Sequence, residues 1–123
     1  MAADIISTSF SFHTLDADKN FYVGHGQTGE WKLAGVTLVP SNDGTGSANK
    51  FTLATKQGTT AVCSVFDSET TALTDGSPQA LTMAAAGTAL EFGSGDAVKF
   101  ESDETGTLAL TLQVICAWEK ARV

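Results

Sequence analysis

Apolar and polar residues alternate with a period of two along most of this chain. In 5-IISTSFSFH-13, Ile6, Thr8, Phe10 and Phe12 fall on one side, and Ile5, Ser7, Ser9 and Ser11 on the other. An apolar face backed by a small polar face marks a half-buried strand, because successive side chains point to opposite sides of a sheet. The strongest run is C-terminal. Leu108, Leu110, Leu112, Val114, Cys116 and Trp118 share one face, while Ala109, Thr111, Gln113, Ile115, Ala117 and Glu119 share the other. Between these two lie 21-FYVG-24, 31-WKLAGVTLV-39, 50-KFTLAT-55, 60-TAVCSVF-66, 79-QALTM-83, 88-TALEF-92 and 97-AVKFES-102. Turn formers separate them: Asn42-Asp43-Gly44, Lys56-Gln57-Gly58, Asp75-Gly76-Ser77-Pro78, Gly93-Ser94-Gly95-Asp96 and Asp103-Glu104-Thr105-Gly106. About eight or nine short strands spaced in this way predict an all-β, antiparallel, jelly-roll-like sandwich with little helix.

The alternation also predicts a core: Phe10, Phe12, Leu38, Leu53, Val65, Phe92, Phe100, Leu108, Leu110, Leu112, Val114 and Trp118. Gly35, inside the third run, predicts a bulge or bend where the strand could cross from one sheet to the other. Residues 84–87, AAAG, read as a turn between two strands, and 40-PSNDGTGSAN-49 reads as an exposed loop. A single domain over residues 7–123 is expected, preceded by a flexible arm at residues 1–6.

Composition narrows the function. At 123 residues the chain suits one domain with a real core. Seven Lys+Arg against 14 Asp+Glu give a net charge of −7, and Arg122 is the sole arginine. Such a chain is poorly suited to nucleic acid or to an anionic membrane surface, both of which demand positive charge. No apolar run approaches the roughly 20 residues that span a bilayer. The N-terminus has no basic start and no continuous apolar stretch, so folding in a reducing cytoplasm is expected. Cys63 and Cys116 then read as two free, buried thiols.

Candidate chemistry is sparse, and no cofactor is expected. His13 and His25, the only histidines, are twelve positions apart. That spacing does not supply a cupin-type metal site on adjacent strands. His13 reads as a strand-end residue, and His25, between Gly24 and Gly26, as a solvated turn residue. Asp16, Asp18 and Asn20 carry the D-x-D-x-N spacing of a calcium loop. Phe21 replaces the glycine such a loop needs, and Gln27 replaces its bidentate glutamate, so an Asx-rich turn is the preferred reading. Glu101, Asp103 and Glu104 read as a solvated hairpin loop. Tyr22, Trp31 and Trp118 are the candidate rings for a sugar platform, Trp118 being better placed in the core. No G-x-S-x-G elbow and no phosphate-binding glycine loop occurs.

One stretch carries a likeness. In 88-TALEFGSGDAVKFESDETGTLALTLQVICAWEKARV-123, a strand ends at Glu91-Phe92 and a Gly95-Asp96 turn follows. Val98-Lys99-Phe100-Glu101 come next, then an acidic turn with Thr105-Gly106, and a long closing strand ends in Trp118-Glu119-Lys120. This cadence resembles the small jelly-roll structural proteins of tailed bacteriophage virions, in particular capsid decoration (cement) proteins. The residues 31–66 fit the same pattern. The resemblance implies a non-enzymatic protein made in the host bacterial cytoplasm and added to the capsid exterior. It implies the major capsid protein as partner and homotrimers at threefold positions. The alternative is a tail- or head-fibre-associated module that recognises a cell-surface glycan. Ile115 and Ala117, apolar on the face opposite the core, are the candidate oligomer contacts.

Overall fold

A computed structural model describes residues 5–12, 19–42, 49–84, 87–106 and 111–120. Among them the chain forms ten strands: β1 (Ile5–Phe12), β2 (Lys19–Gly24), β3 (Trp31–Pro40), β4 (Lys50–Gln57), β5 (Thr60–Ala61), β6 (Phe66–Asp67), β7 (Gln79–Ala80), β8 (Glu91–Phe92), β9 (Ala97–Thr105) and β10 (Leu112–Lys120). The only helical element among the described residues is the 3-10 turn Gly87–Leu90. The strands build two antiparallel sheets. One runs β1-β10-β3-β7 with β8 also on β3, and the other runs β2-β9-β4-β5 with β6 also on β4. The inner faces of the two sheets form one apolar core, so the molecule is an all-β sandwich.

The pairing is nested along the chain. β1 pairs with β10, β2 with β9, β3 with β7 and β8, and β4 with β5 and β6. Pairing of β10 with β3 and of β9 with β4 then completes the sheets. The first four strands alternate between sheets, and the return half retraces them.

Period-two burial follows the sequence pattern closely on the long strands. Leu112, Val114, Cys116 and Trp118 of β10 are buried, as are Phe51, Leu53 and Thr55 of β4 and Val98, Phe100 and Ser102 of β9. On β3 the phase changes once. Trp31 and Leu33 point inward, then Val36 and Leu38 do. Opposite the Ala117/Trp118 step the register slips from Gly35 to Leu33, leaving Ala34 as the extra residue. This is the bulge expected at Gly35, and it flips the inward set so that both halves of the strand feed the core. The strand does not change sheets; all of Trp31–Pro40 stays beside β10.

Several expectations need correction. Val65 is 60% exposed, not core. The predicted strand over 60–66 breaks into β5, an isolated bridge at Cys63 and β6, and Phe66 takes the inward position. Phe10 is 39% exposed because β1 lies at the end of its sheet, although its ring still stacks on Phe21 at 4.8 Å. The predicted strand 79–83 shortens to Gln79–Ala80, and the front of 88–92 winds into the 3-10 turn. Ile5 and Ile6, expected in the arm, belong to β1 and pair with Glu119 and Trp118, and residues 1–4 lie outside the described residues. The side chain of Phe12 lies outside the described residues, as do Leu108 and Leu110. Leu38, Leu53, Phe92, Phe100, Leu112, Val114 and Trp118 are core as predicted.

Candidate functional site

The candidate oligomer contacts sit in the middle of a sheet. Ile115 lies between Ser9 of β1 and Thr37 of β3, and Ala117 between Ser7 and Gly35. Both point away from the core, as expected, and both are half-buried by these neighbours. Ser7, Ser9 and Ser11, Thr37 and Val39, and Ala80 extend the same face with small uncharged groups, and Glu119, Lys32 and Glu91 stand together at its Ile5 end. The apolar content is therefore thinner than the two residues suggested alone.

The opposite outer face is charged. Lys56 of β4 stands directly opposite Lys99 of β9. Like charges in that position repel. Glu101, two residues along β9, bridges them: Oε1 accepts from Lys56 Nζ at 2.7 Å and Oε2 from Lys99 Nζ at 2.9 Å. The hydrogen bond from Lys56, then that from Lys99, holds the Glu101 carboxyl below the usual glutamate range, and Glu101 in turn raises Lys99. This cluster is a solvated ladder on a strand, whereas Glu101 was expected in a hairpin loop. Tyr22 stands beside it, opposite Lys99, and is 59% exposed.

His25 is not a solvated turn residue. It is 2% exposed. Its Nε2 lies 3.1 Å from the Phe92 carbonyl oxygen and 2.9 Å from that of Gly93, and its Nδ1 accepts from the Gln27 backbone N–H at 3.1 Å. Two carbonyls can only accept, so Nε2 carries the proton and donates, while Nδ1 carries none. The ring packs edge-on against Trp118 at 5.3 Å and lies 6.2 Å from Trp31; Phe92 meets Trp118 edge-on at 5.2 Å. The imidazole thus ties the loop after β2 to the turn after β8, inside an aromatic box. Gly26, with φ of +69°, lets the chain turn back so that Gln27 can reach Nδ1. The signal was present in the sequence: Phe21, Val23 and His25 continue one alternation, which points the imidazole inward. With both nitrogens committed to backbone, His25 is a structural tie.

Trp31 is 6% exposed and Trp118 fully buried, so of the three candidate rings only Tyr22 faces solvent. Trp118 Nε1 donates to Thr8 Oγ1 at 2.7 Å, fastening β1 to β10. Asp16 and Asp18 lie outside the described residues, as does His13. Asn20 is exposed at the start of β2, opposite Glu101. No group of three or more metal-ligating side chains occurs among the described residues.

Cys63 and Cys116 are free and buried, as expected. Burial pushes the Cys63 thiol up to about 11, the adjacent Thr55 hydroxyl pulling slightly the other way. Burial pushes Cys116 up to about 12, with Cys63 nearby adding to the effect. Thiols so reluctant to ionise are poor nucleophiles and poor metal ligands. Cys63 Sγ instead contacts Met83 Sδ at 3.6 Å. Beside them a cleft of about 220 Å³ opens between β6 and β7, lined by Ser64, Val65, Asp67, Thr71, Gln79 and Thr82 among others. Sequence reasoning missed it, because it forms where the predicted strands fail.

No family model, no curated protein and no solved structure matches this chain.

Proposed function

We propose that this protein is a non-enzymatic structural protein of a bacteriophage virion that decorates the outside of the capsid, as homotrimers bound to the major capsid protein. In this reading it is made in the host cytoplasm. The observation that carries the reading is the nested strand order, β1 with β10, β2 with β9, β3 with β8 and β4 with β5. A long antiparallel hairpin rolled into two sheets has this order, which supports a jelly roll, a frame used by viral capsid and lectin domains. A fold hosts many functions, so the virion reading draws on the chain's other traits as well. The imidazole of His25 is locked to backbone and the thiols are buried, so the conspicuous reactive groups serve the fold. The outer face of the β1-β10-β3 sheet is broad and, away from Glu119 and Lys32 at one end, uncharged, as suits contact with other chains.

The test is co-sedimentation with isolated capsid shells, joined to a count of copies in purified particles by quantitative mass spectrometry. Decoration predicts saturable binding to assembled shells at hundreds of copies per particle. A few copies per particle, with no binding to shells, would refute it. The glycan-binding alternative draws on exposed Tyr22 and on the hydroxyl-lined cleft at Ser64–Thr82. It predicts low copy number and signal on a glycan array.

A further inference from the structure

Among the described residues, four large apolar side chains stay exposed: Ile5, Phe10, Tyr22 and Val65. Three of them lie on β1 and β2, the end strands of the two sheets. These strands flank the same side of the sandwich, since the Phe10 ring of one sheet stacks on the Phe21 ring of the other, and Phe21 stacks on Phe100 at 5.0 Å. The stack runs from the core outward and ends on a ring open to water.

An end strand offers a row of backbone donors and acceptors to any other chain, and proteins ordinarily blunt it with shortness, charge or proline. The far side of this sandwich is blunted in all three ways. β5, β6, β7 and β8 have two residues each, Asp67 lies on β6 and Glu91 on β8, and Pro78 precedes β7. On the near side β1 runs for eight residues without an ionisable group, and Lys19 is the sole charge on β2. In a chain of net charge −7, copies repel unless they approach through a neutral surface. Among the described residues the β1/β2 side comes close to this: its nearest charges include Glu119 beside Ile5 and Lys99 beside Tyr22, which are of opposite sign, and it carries the apolar groups that gain from being covered.

We propose that the β1/β2 side is where a second copy of this chain docks, β1 of one copy lying along β2 of the next. The contact is head-to-tail, so it closes into a ring when the rotation allows, and three copies are the smallest such ring beyond a pair. The inference rests on the trimer reading above and places its contact at Ile5, Ser9, Phe10 and Tyr22 in place of Ile115 and Ala117.

Light scattering on four forms tests it: the native chain, Ser9→Lys, Tyr22→Lys and Ile115→Lys, each checked for fold by circular dichroism. Ser9 and Tyr22 are exposed, so lysine there charges the edge without entering the core. The expected result is a native mass of three times 12.7 kDa, about 38 kDa, falling to 12.7 kDa in both edge variants and unchanged in Ile115→Lys. Ser9 shares the Ile115 face and Tyr22 does not, so a trimer that survives Tyr22→Lys and falls apart with Ile115→Lys overturns the edge contact and leaves the trimer reading standing, whatever Ser9→Lys does. A native mass of twice 12.7 kDa, about 25 kDa, lost in Tyr22→Lys and kept in Ile115→Lys, supports the edge as the contact and refutes the threefold reading. A native monomer at millimolar concentration overturns the edge contact and the solution trimer together.

Discussion

The two long sides of the sandwich are built differently. On the β1/β2 side the strands are long and regular, and three stacked rings, Phe10, Phe21 and Phe100, join the sheets. On the other side β5 to β8 are two-residue strands set in irregular chain, with Cys63 bridging Met83 and a cleft between β6 and β7. Backbone pairing is extensive on the first side and intermittent on the second. The irregular side holds its buried anchors, Val62, Leu73 and Leu81, by packing and by single backbone bonds, the Val62 N–H to the Thr55 carbonyl and the Leu81 N–H to the Val36 carbonyl. Regular alternation leaves a strand open to further pairing, while irregular chain closes an edge by having little to offer.

Substitutions at the two sides should separate them by size of effect. Phe21→Ala removes the middle ring of the stack and should cost about 3–5 kcal/mol in urea unfolding, among the largest single losses in the molecule. Leu73→Ala, at 2% exposure on the irregular side, should cost about 2–4 kcal/mol, less where looser chain can collapse into the gap. A Leu73 loss equal to that of Phe21 would erase the contrast.

The next effect has the opposite sign. Thr55 is fully buried, its Oγ1 finds no well-aligned partner, and the neighbouring Cys63 thiol is at best a weak one. Thr55→Val keeps the shape and removes the stranded hydroxyl, so it should raise stability by about 1 kcal/mol, read as a shift in urea midpoint. Val65→Ala, on the rim of the cleft, should change stability by less than about 0.5 kcal/mol; a larger loss would mean that Val65 packs inward after all.

The smallest effect is electrostatic and depends on pH. The Glu101 carboxyl is lowered in the folded state, so its contribution is present at neutral pH and fades as pH falls below the ordinary glutamate value of about 4.3. Lys99 is raised, so its share is present below the ordinary lysine value of about 10.4 and fades as pH climbs through the raised one. Glu101→Gln should flatten both limbs of the melting temperature against pH, and added salt should shrink the difference.

Much of this was legible from alternation. The long strands and their inward sets follow from period two, since a half-buried strand must alternate, and the bulge follows from Gly35, since a glycine inside a strand marks a bulge or bend. Alternation buries Val65 only if 60-TAVCSVF-66 is a single strand, and it is not. Val62 and Cys63 are both buried there, which no single strand phase permits. The glycines flanking His25 suggest solvent, yet Phe21 and Val23 set the phase that buries it. The cleft was illegible, since it arises from contact between segments distant in sequence. The exposed end of Phe10 was illegible too, because alternation tells which side of a strand a residue faces and not whether the strand has a neighbour.

Concentration-dependent amide hydrogen exchange across β1 measures that neighbour directly. In an antiparallel end strand every second amide bonds inward, here to β10, and the others point outward. If β1 is the strand along which copies meet, the outward amides of Ile5–Phe12 exchange quickly in dilute protein and become protected as the concentration rises, while Gln79 and Ala80 on the far side do not change. Outward β1 amides that exchange equally fast at every concentration, while the scattering mass rises, would contradict it.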